Sequence, residues 1–282
     1  MTVSRIDSHQ HFWRLSRGDY AWMNPRLKQI QRDFLPEHLR LILVSHNVEK
    51  TVLVQATATL AETEFMLSLA DETEWVAGVV GWVDMESTEA IKTLERLRGH
   101  PKFKGIRPMI QDIPDPDWIL LPGPGKVFDW LEKNQLTFDA LVNPVHLKNL
   151  EKLLRRHEGL RAVINHGGKP DIAHENFKSW AEDMQSLAAN TRALCKLSGL
   201  LTEAAPGAGY EELSPYIDHL LRCFTHTRLM WGSDWPVLNL AANYSGWVTI
   251  CEHALAGHSA LEQRAVWRDN AAAFYRLGRM RA

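Results

Sequence analysis

Short apolar runs alternate with segments of helical period along the whole chain, and this alternation limits the fold more than any other feature. Strands are predicted at 6–12, 51–56, 76–83, 103–110, 137–142, 161–166, 192–198 and 228–234. Between them apolar residues recur three and four positions apart. Leu39, Leu43 and Val44 follow Pro36, and Leu147, Leu150, Leu153 and Leu154 form the clearest stripe. The run 76–83 is apolar throughout, as a strand buried on both faces must be. No change of composition divides the chain. Eight strand–helix units in one body predict an α/β fold of the (β/α)8 TIM-barrel type, a single domain over residues 1–282. An open doubly wound sheet is the alternative, but no glycine-rich phosphate turn follows an early strand.

Two connections are longer than such a barrel needs. Residues 14–34 are polar, aromatic and irregular, which predicts a cover over the site, and 111–125 form a second excursion rich in Pro and Asp. Composition bounds the rest. With 45% hydrophobic residues and a formal net charge of -2, the chain has no electrostatic footprint for nucleic acid. Its longest apolar run is too short to span a bilayer, so no membrane partner is expected. Cys195, Cys223 and Cys251 lie far apart and outside any metal-binding spacing, which predicts reduced thiols and a cytoplasmic location. The chain alone or a homo-oligomer of it is the expected form.

In a TIM barrel the chemistry sits where strands end, at their C-terminal side. The first strand ends in His9-Gln10-His11, whose alternate imidazoles share one face. An isolated pair of this kind is more often a surface feature. Here the sixth strand adds His166, in Asn-His-Gly-Gly-Lys-Pro, and the eighth adds Asp234, in Gly-Ser-Asp-Trp-Pro. Three imidazoles and one carboxylate suit a single divalent, zinc-like ion, with the carboxylate placed to take a proton from water. Without a metal, the same imidazoles can face a carbonyl oxygen as donors. The second strand ends in Gln55, the third in Asp84 and the fourth in Arg107.

At these residues the chain resembles the amidohydrolase superfamily, and within it the amidohydrolase-2 branch of sugar lactonases. The resemblance rests on His9-x-His11, His166-Gly-Gly-Lys-Pro and Gly232-Ser-Asp234-Trp-Pro. It extends to Arg17-Gly-Asp-Tyr-x-Trp22, Gly105-Ile-Arg107, Gln111-Asp-x-Pro-Asp-Pro-Asp-Trp118 and Asn270-Ala-x-x-Phe-Tyr275, and so runs nearly end to end. Two positions depart from it: Pro108 stands where relatives often carry His, and Asn165 where many carry Asp. The bridging lysine of binuclear members has no clear match, because Lys104 points away from Arg107. No histidine ends the fifth strand either, since His146 falls beyond Asn143-Pro144. One metal at most is therefore expected, held by His9, His11, His166 and Asp234, and a metal-independent site is equally compatible.

The resemblance implies hydrolysis of a small-molecule sugar lactone, such as an L-fucono- or L-rhamnonolactone. His9, His11, His166 and Asp234 would be catalytic, with Asp234 activating water. Arg107 and Gln55 would bind substrate polar groups, and Trp13, Trp22 and Trp235 would wall the sugar face. A decarboxylase of the same superfamily and a non-catalytic barrel that only binds are the competing functions.

Overall fold

The computed structural model describes residues 4–278; the ends of the expected domain, 1–3 and 279–282, lie outside the described residues. Eight parallel strands form one sheet in sequence order: β1 (Arg5–Gln10), β2 (Val48–Val54), β3 (Val76–Gly81), β4 (Phe103–Ile106), β5 (Thr137–Ala140), β6 (Arg161–Ile164), β7 (Leu194–Leu197) and β8 (Leu229–Trp231). Helices α1 (Pro36–Ser45), α2 (Leu60–Glu72), α3 (Ala90–Arg98), α4 (Pro122–Asn134), α5 (Leu147–Arg156), α6 (Phe177–Asn190), α7 (Tyr210–Arg228) and α8 (Tyr244–Leu255) follow the strands in turn. The sheet closes on itself above the last rung of β8. There Asp234 N donates to His9 O at 2.8 Å and His11 N donates to Trp235 O at 2.7 Å. This is the predicted (β/α)8 barrel, and its closing seam is the place where the chemistry-bearing residues of β1 and β8 meet.

Local chemistry accounts for the elements. Pro36 opens α1 at a position where its missing N–H costs nothing, and the Thr59 hydroxyl caps α2 by accepting from Glu62 N. Helix α5 turns Leu147, Leu150, Leu153 and Leu154 onto the sheet. Inside the barrel Ile6, Val52, Val54, Val80, Val163 and Met230 pack together. The floor is closed from below by α9 (Ala260–Arg264), a π-helical turn and α10 (Asn270–Tyr275), which set Phe274, Tyr275 and Leu277 against those side chains.

Every strand ends earlier than the apolar pattern predicts. His11, Gln55, Arg107, His166 and Asp234 all lie past the last residue of their strands. There the backbone leaves the ladder and the side chains lean over the mouth. The first strand also departs from strict alternation. Its register with β2 shifts between Asp7 and Gln10, so that Ile6 and His9, three residues apart, both face the barrel interior.

The predicted cover, 14–34, is tied at its base by an antiparallel pair, Trp13 N to Phe34 O at 2.8 Å and Phe34 N to Trp13 O at 3.0 Å. Thr57 Oγ1 donates to Asp19 O at 2.7 Å and Thr59 Oγ1 to Asp19 Oδ2 at 3.1 Å, which anchors the cover to the end of β2. Among the described residues no helix is long and apolar enough to cross a membrane, and all three cysteines are unpaired.

Candidate active site

Four side chains converge at the mouth. The Nε2 atoms of His9 and His11 are 3.2 Å apart. Asp234 Oδ1 lies 3.2 Å from His11 Nε2, 3.6 Å from His9 Nε2 and 3.7 Å from His166 Nε2. All four residues are buried. Asp234 (φ 59°) and His166 (φ 52°) both adopt the left-handed conformation, which costs a non-glycine residue energy and re-aims its side chain. Two glycines clear the space. A Cβ on Gly232 would stand 2.8 Å from His9 Cβ, and one on Gly199 would stand 2.4 Å from His166 Nδ1.

Beneath the seam Asp7 locks the two ends of the chain together. Its carboxylate accepts from Ser233 N at 2.8 Å, Ser233 Oγ at 2.6 Å and Tyr244 OH at 3.0 Å. These bonds hold the β1 backbone against the turn that carries Asp234. Burial pushes the Asp7 carboxyl up to about 6, against the pull of the donors from Ser233, His9 and Tyr244.

The ring protons follow from their partners. His11 Nδ1 donates to the Val54 carbonyl at 2.7 Å, so its Nε2 presents a lone pair to the site. Lys196, fully buried in β7, donates to His9 Nδ1 at 3.1 Å. That places the His9 proton on Nε2, with His11 Nε2 in position to accept it. Lys196 is compensated by Asp139 Oδ2 at 2.6 Å, an oxygen that also accepts from Tyr275 OH at 2.7 Å and Asn165 Nδ2 at 3.3 Å. A buried charge pair survives only with such added donors. Burial lowers the basicity of His9 and His11 and brings His166 down to about 3, so the imidazoles are neutral at ordinary pH. For Asp234, burial alone would raise the carboxyl, but its neighbours, the fixed Arg107 charge among them, outweigh it and hold the group below the usual carboxylate range. The site thus presents a carboxylate base among neutral imidazoles.

A cavity of about 180 Å³ opens onto these residues, lined among others by Trp22, Arg107, Gln111, His166, Lys169 and Asp234. Arg107 is held by Gln55 in both directions. Its Nη2 donates to Gln55 O, and Gln55 Nε2 donates to Arg107 O at 2.6 Å. Arg107 Nη1 lies 3.3 Å from His9 Nε2. Gln55 itself is fully buried and does not line the cavity, so it steadies Arg107 where direct substrate contact was expected.

The expected indole wall is corrected as well. Trp13 is fully buried under the cover, its Nε1 donating to Arg32 O at 2.8 Å, and Trp235 packs on Phe12 and Phe34. Neither lines the cavity, and only Trp22 does. Both indoles pack instead on Phe34, at the base of the cover.

Lys169 was quoted in the sequence pattern without a role. It pairs with Glu203 at 3.0 Å and donates to Gln111 Oε1 at 3.0 Å, and it lines the same cavity as Arg107. Lys196 and Asp139 were missed. Their signal was a charge in each of two otherwise apolar barrel strands, which demands a partner. His146, beyond β5, accepts from Asn143 N away from the site, Lys104 Nζ donates to Pro101 O, and Asp84 Oδ1 accepts from Glu86 N in a turn.

The donor set fits a metal. Ligand atoms of His9, His11 and Asp234 lie within 4.8 Å of one another. The His11 Nε2 lone pair and Asp234 Oδ1 face each other at 3.2 Å, an approach of two acceptors that a cation between them relieves. Two imidazoles and a carboxylate, with His166 beside them, are ligands that a zinc-like ion takes.

The chain is similar to known proteins along nearly its whole length. The chain is 43% identical over 279 residues to an L-fucono-1,5-lactonase of Burkholderia ambifaria, covering 98% of this chain and 96% of the relative. It is 34% identical to an L-fucono-1,5-lactonase of Burkholderia multivorans, covering 98% and 97%. A crystal structure of an amidohydrolase from Burkholderia multivorans with bound zinc superposes with a TM-score of 0.92 at 34% identity, over 98% of this chain and all of that one. A family model described as amidohydrolase matches residues 6–277, and the chain belongs to that family.

Proposed function

We propose that this protein hydrolyses a sugar-derived lactone, and that L-fucono-1,5-lactone, named for both Burkholderia relatives, is the first substrate to test. The observation that carries the reading is the ionised Asp234 among neutral imidazoles, with a fixed guanidinium beside them, at the base of a cavity sized for one small ring. Asp234 Oδ1 takes a proton from water as the oxygen attacks the lactone carbonyl. The Arg107 guanidinium, which lines the cavity with Asp234, stabilises the tetrahedral oxyanion, while the His9 Nε2 proton stays hydrogen-bonded to His11 Nε2 and holds that ring in place. As the intermediate collapses, the bond from the carbonyl carbon to the ring oxygen breaks. Asp234 returns its proton to that oxygen, giving an open-chain hydroxy acid. Lys169 at the rim supplies a second positive charge toward the product carboxylate. His9, His11 and Asp234, with His166 adjacent, would hold a divalent ion, and bound there it would supply Lewis-acid polarisation of the carbonyl. The unpaired thiols and the metabolite substrate support a cytoplasmic enzyme.

Because the acid product releases a proton, a pH-indicator screen of aldonolactones, run with and without chelator, tests the reading. Proton release with at least one six-carbon lactone is the expected result. CO₂ evolution from an aromatic or unsaturated acid, with every lactone inert, would replace hydrolysis by decarboxylation.

A further inference from the structure

A second cavity, of about 310 Å³, lies beside the catalytic one over the ends of β2, β3 and β4. It is larger than the catalytic cavity of about 180 Å³, and the two share Trp22, Met109 and Asp112 along a common edge. Three indoles, Trp22, Trp82 and Trp118, form its walls. The Nε1 donors of Trp22 and Trp118 find no acceptor within the protein, although Trp118 is only 6% exposed. Neither nitrogen is open to the cavity, so these indoles present ring faces and C–H edges to it. No Lys or Arg lines the cavity, whereas the exposed carboxylates of Asp84, Glu86 and Asp112 stand at it. An anionic group is therefore excluded, and solvated carboxylates hold a cation weakly. A group with flat C–H faces for the indoles and hydroxyls for the carboxylates meets all of these conditions.

We infer that this second cavity is a glycosyl subsite, and that the protein accepts lactones carrying an uncharged pyranose substituent on the ring. The inference rests on the lactone-hydrolysing reading above and deepens it. The carbonyl remains at Asp234, and the substituent crosses the edge formed by Trp22, Met109 and Asp112 to lie against Trp82 and Trp118. Trp82 is half-buried, lines only the second cavity and has no part in the catalytic set, so its replacement isolates the subsite.

The test uses L-fucono-1,5-lactone, or the best bare lactone from the screen, and the same lactone carrying one hexosyl group at O2, O3 or O4. At least one glycosylated isomer should be opened with a kcat/KM equal to or above that of the bare lactone. Trp82→Ala should lower that value about tenfold or more, the loss expected for one aromatic contact, and leave the bare lactone unchanged. Glu86→Gln, a milder change at the surface, should act in the same direction. If the bare lactone is opened but all glycosylated isomers are turned over at less than about a tenth of its kcat/KM, the subsite is wrong and the hydrolytic function stands. Equal loss on both substrates in Trp82→Ala, or a gain only with an ammonium-bearing substituent, also overturns it. If no lactone is opened at all, the hydrolytic reading falls and takes this inference with it.

Discussion

Asp234 shows how a carboxylate becomes a useful base in a buried place. Burial would protonate it, and its neighbours, the fixed Arg107 charge among them, keep it ionised. The left-handed backbone at Asp234 aims it at the two β1 histidines, and Asp7, bonded to Ser233, fixes the turn on which it stands. Removing the charge while keeping the shape is the direct test of its role. Asp234→Asn should lower kcat on the best lactone by a factor on the order of 10² to 10⁴ with KM changed far less. Steady-state kinetics decides it, and a variant with near-normal kcat would remove the base from Asp234. At this scale the sequence was informative about identity. His9, His11, His166 and Asp234 were all legible because each lies where a predicted strand ends. Trp13 and Trp235 misled, because proximity in sequence to a site residue does not say on which side of the backbone a side chain lies.

The cover, 14–34, is the element on which the cavity depends, because it delivers Trp22 to the mouth. It is anchored through Asp19 to Thr57 and Thr59, and that anchor is organised by Glu62 in the first turn of α2. The Glu62 carboxylate accepts from Thr57 N at 2.9 Å and from Ala56 N at 3.0 Å and 3.1 Å. Burial pushes this group from 4.5 up to about 7 despite those donors. A carboxyl whose pKa is raised on folding holds more protons folded than unfolded between the two values, so its contribution to stability is lost as pH rises. The stability of the native protein relative to Glu62→Gln should therefore increase as pH falls from about 8 to about 4.5, by up to roughly 3 kcal/mol. Urea unfolding at both ends of that range measures it, and an opposite slope would show that Glu62 is ionised throughout. Taking the difference between the two proteins cancels the opposing slope from the buried neutral histidines. That 14–34 covers the site was legible from its length and its aromatic content. How it is anchored was not, because Glu62 looks in sequence like any first-turn acid of a helix.

The whole molecule is a barrel joined side to side at the β1–β8 seam and plugged from below by α10. Tyr275 joins the two. Its ring plugs the floor with Phe274 and Leu277, and its hydroxyl donates to Asp139, which holds Lys196, which donates to His9. Tyr275→Phe keeps the plug and loses one hydrogen bond to a charged group, so it should cost about 1.5–3 kcal/mol. Tyr275→Ala also empties the floor and should cost about 3–5 kcal/mol. Urea midpoints for the pair check the ordering, and an equal cost would mean that the ring packs nothing.

The sequence by itself determined the eight-unit barrel, because the apolar period that builds each strand and helix is local, and it located the four central residues by their place at strand ends. Only the tertiary structure decided which histidine carries which proton, which indole reaches the cavity and what partners Lys196 in the interior. Those outcomes depend on partners far apart in the chain, Lys196 with His9 at a separation of 187 residues and Asp7 with Ser233 at 226. No local pattern registers them, since closing the barrel is what brings the partners together.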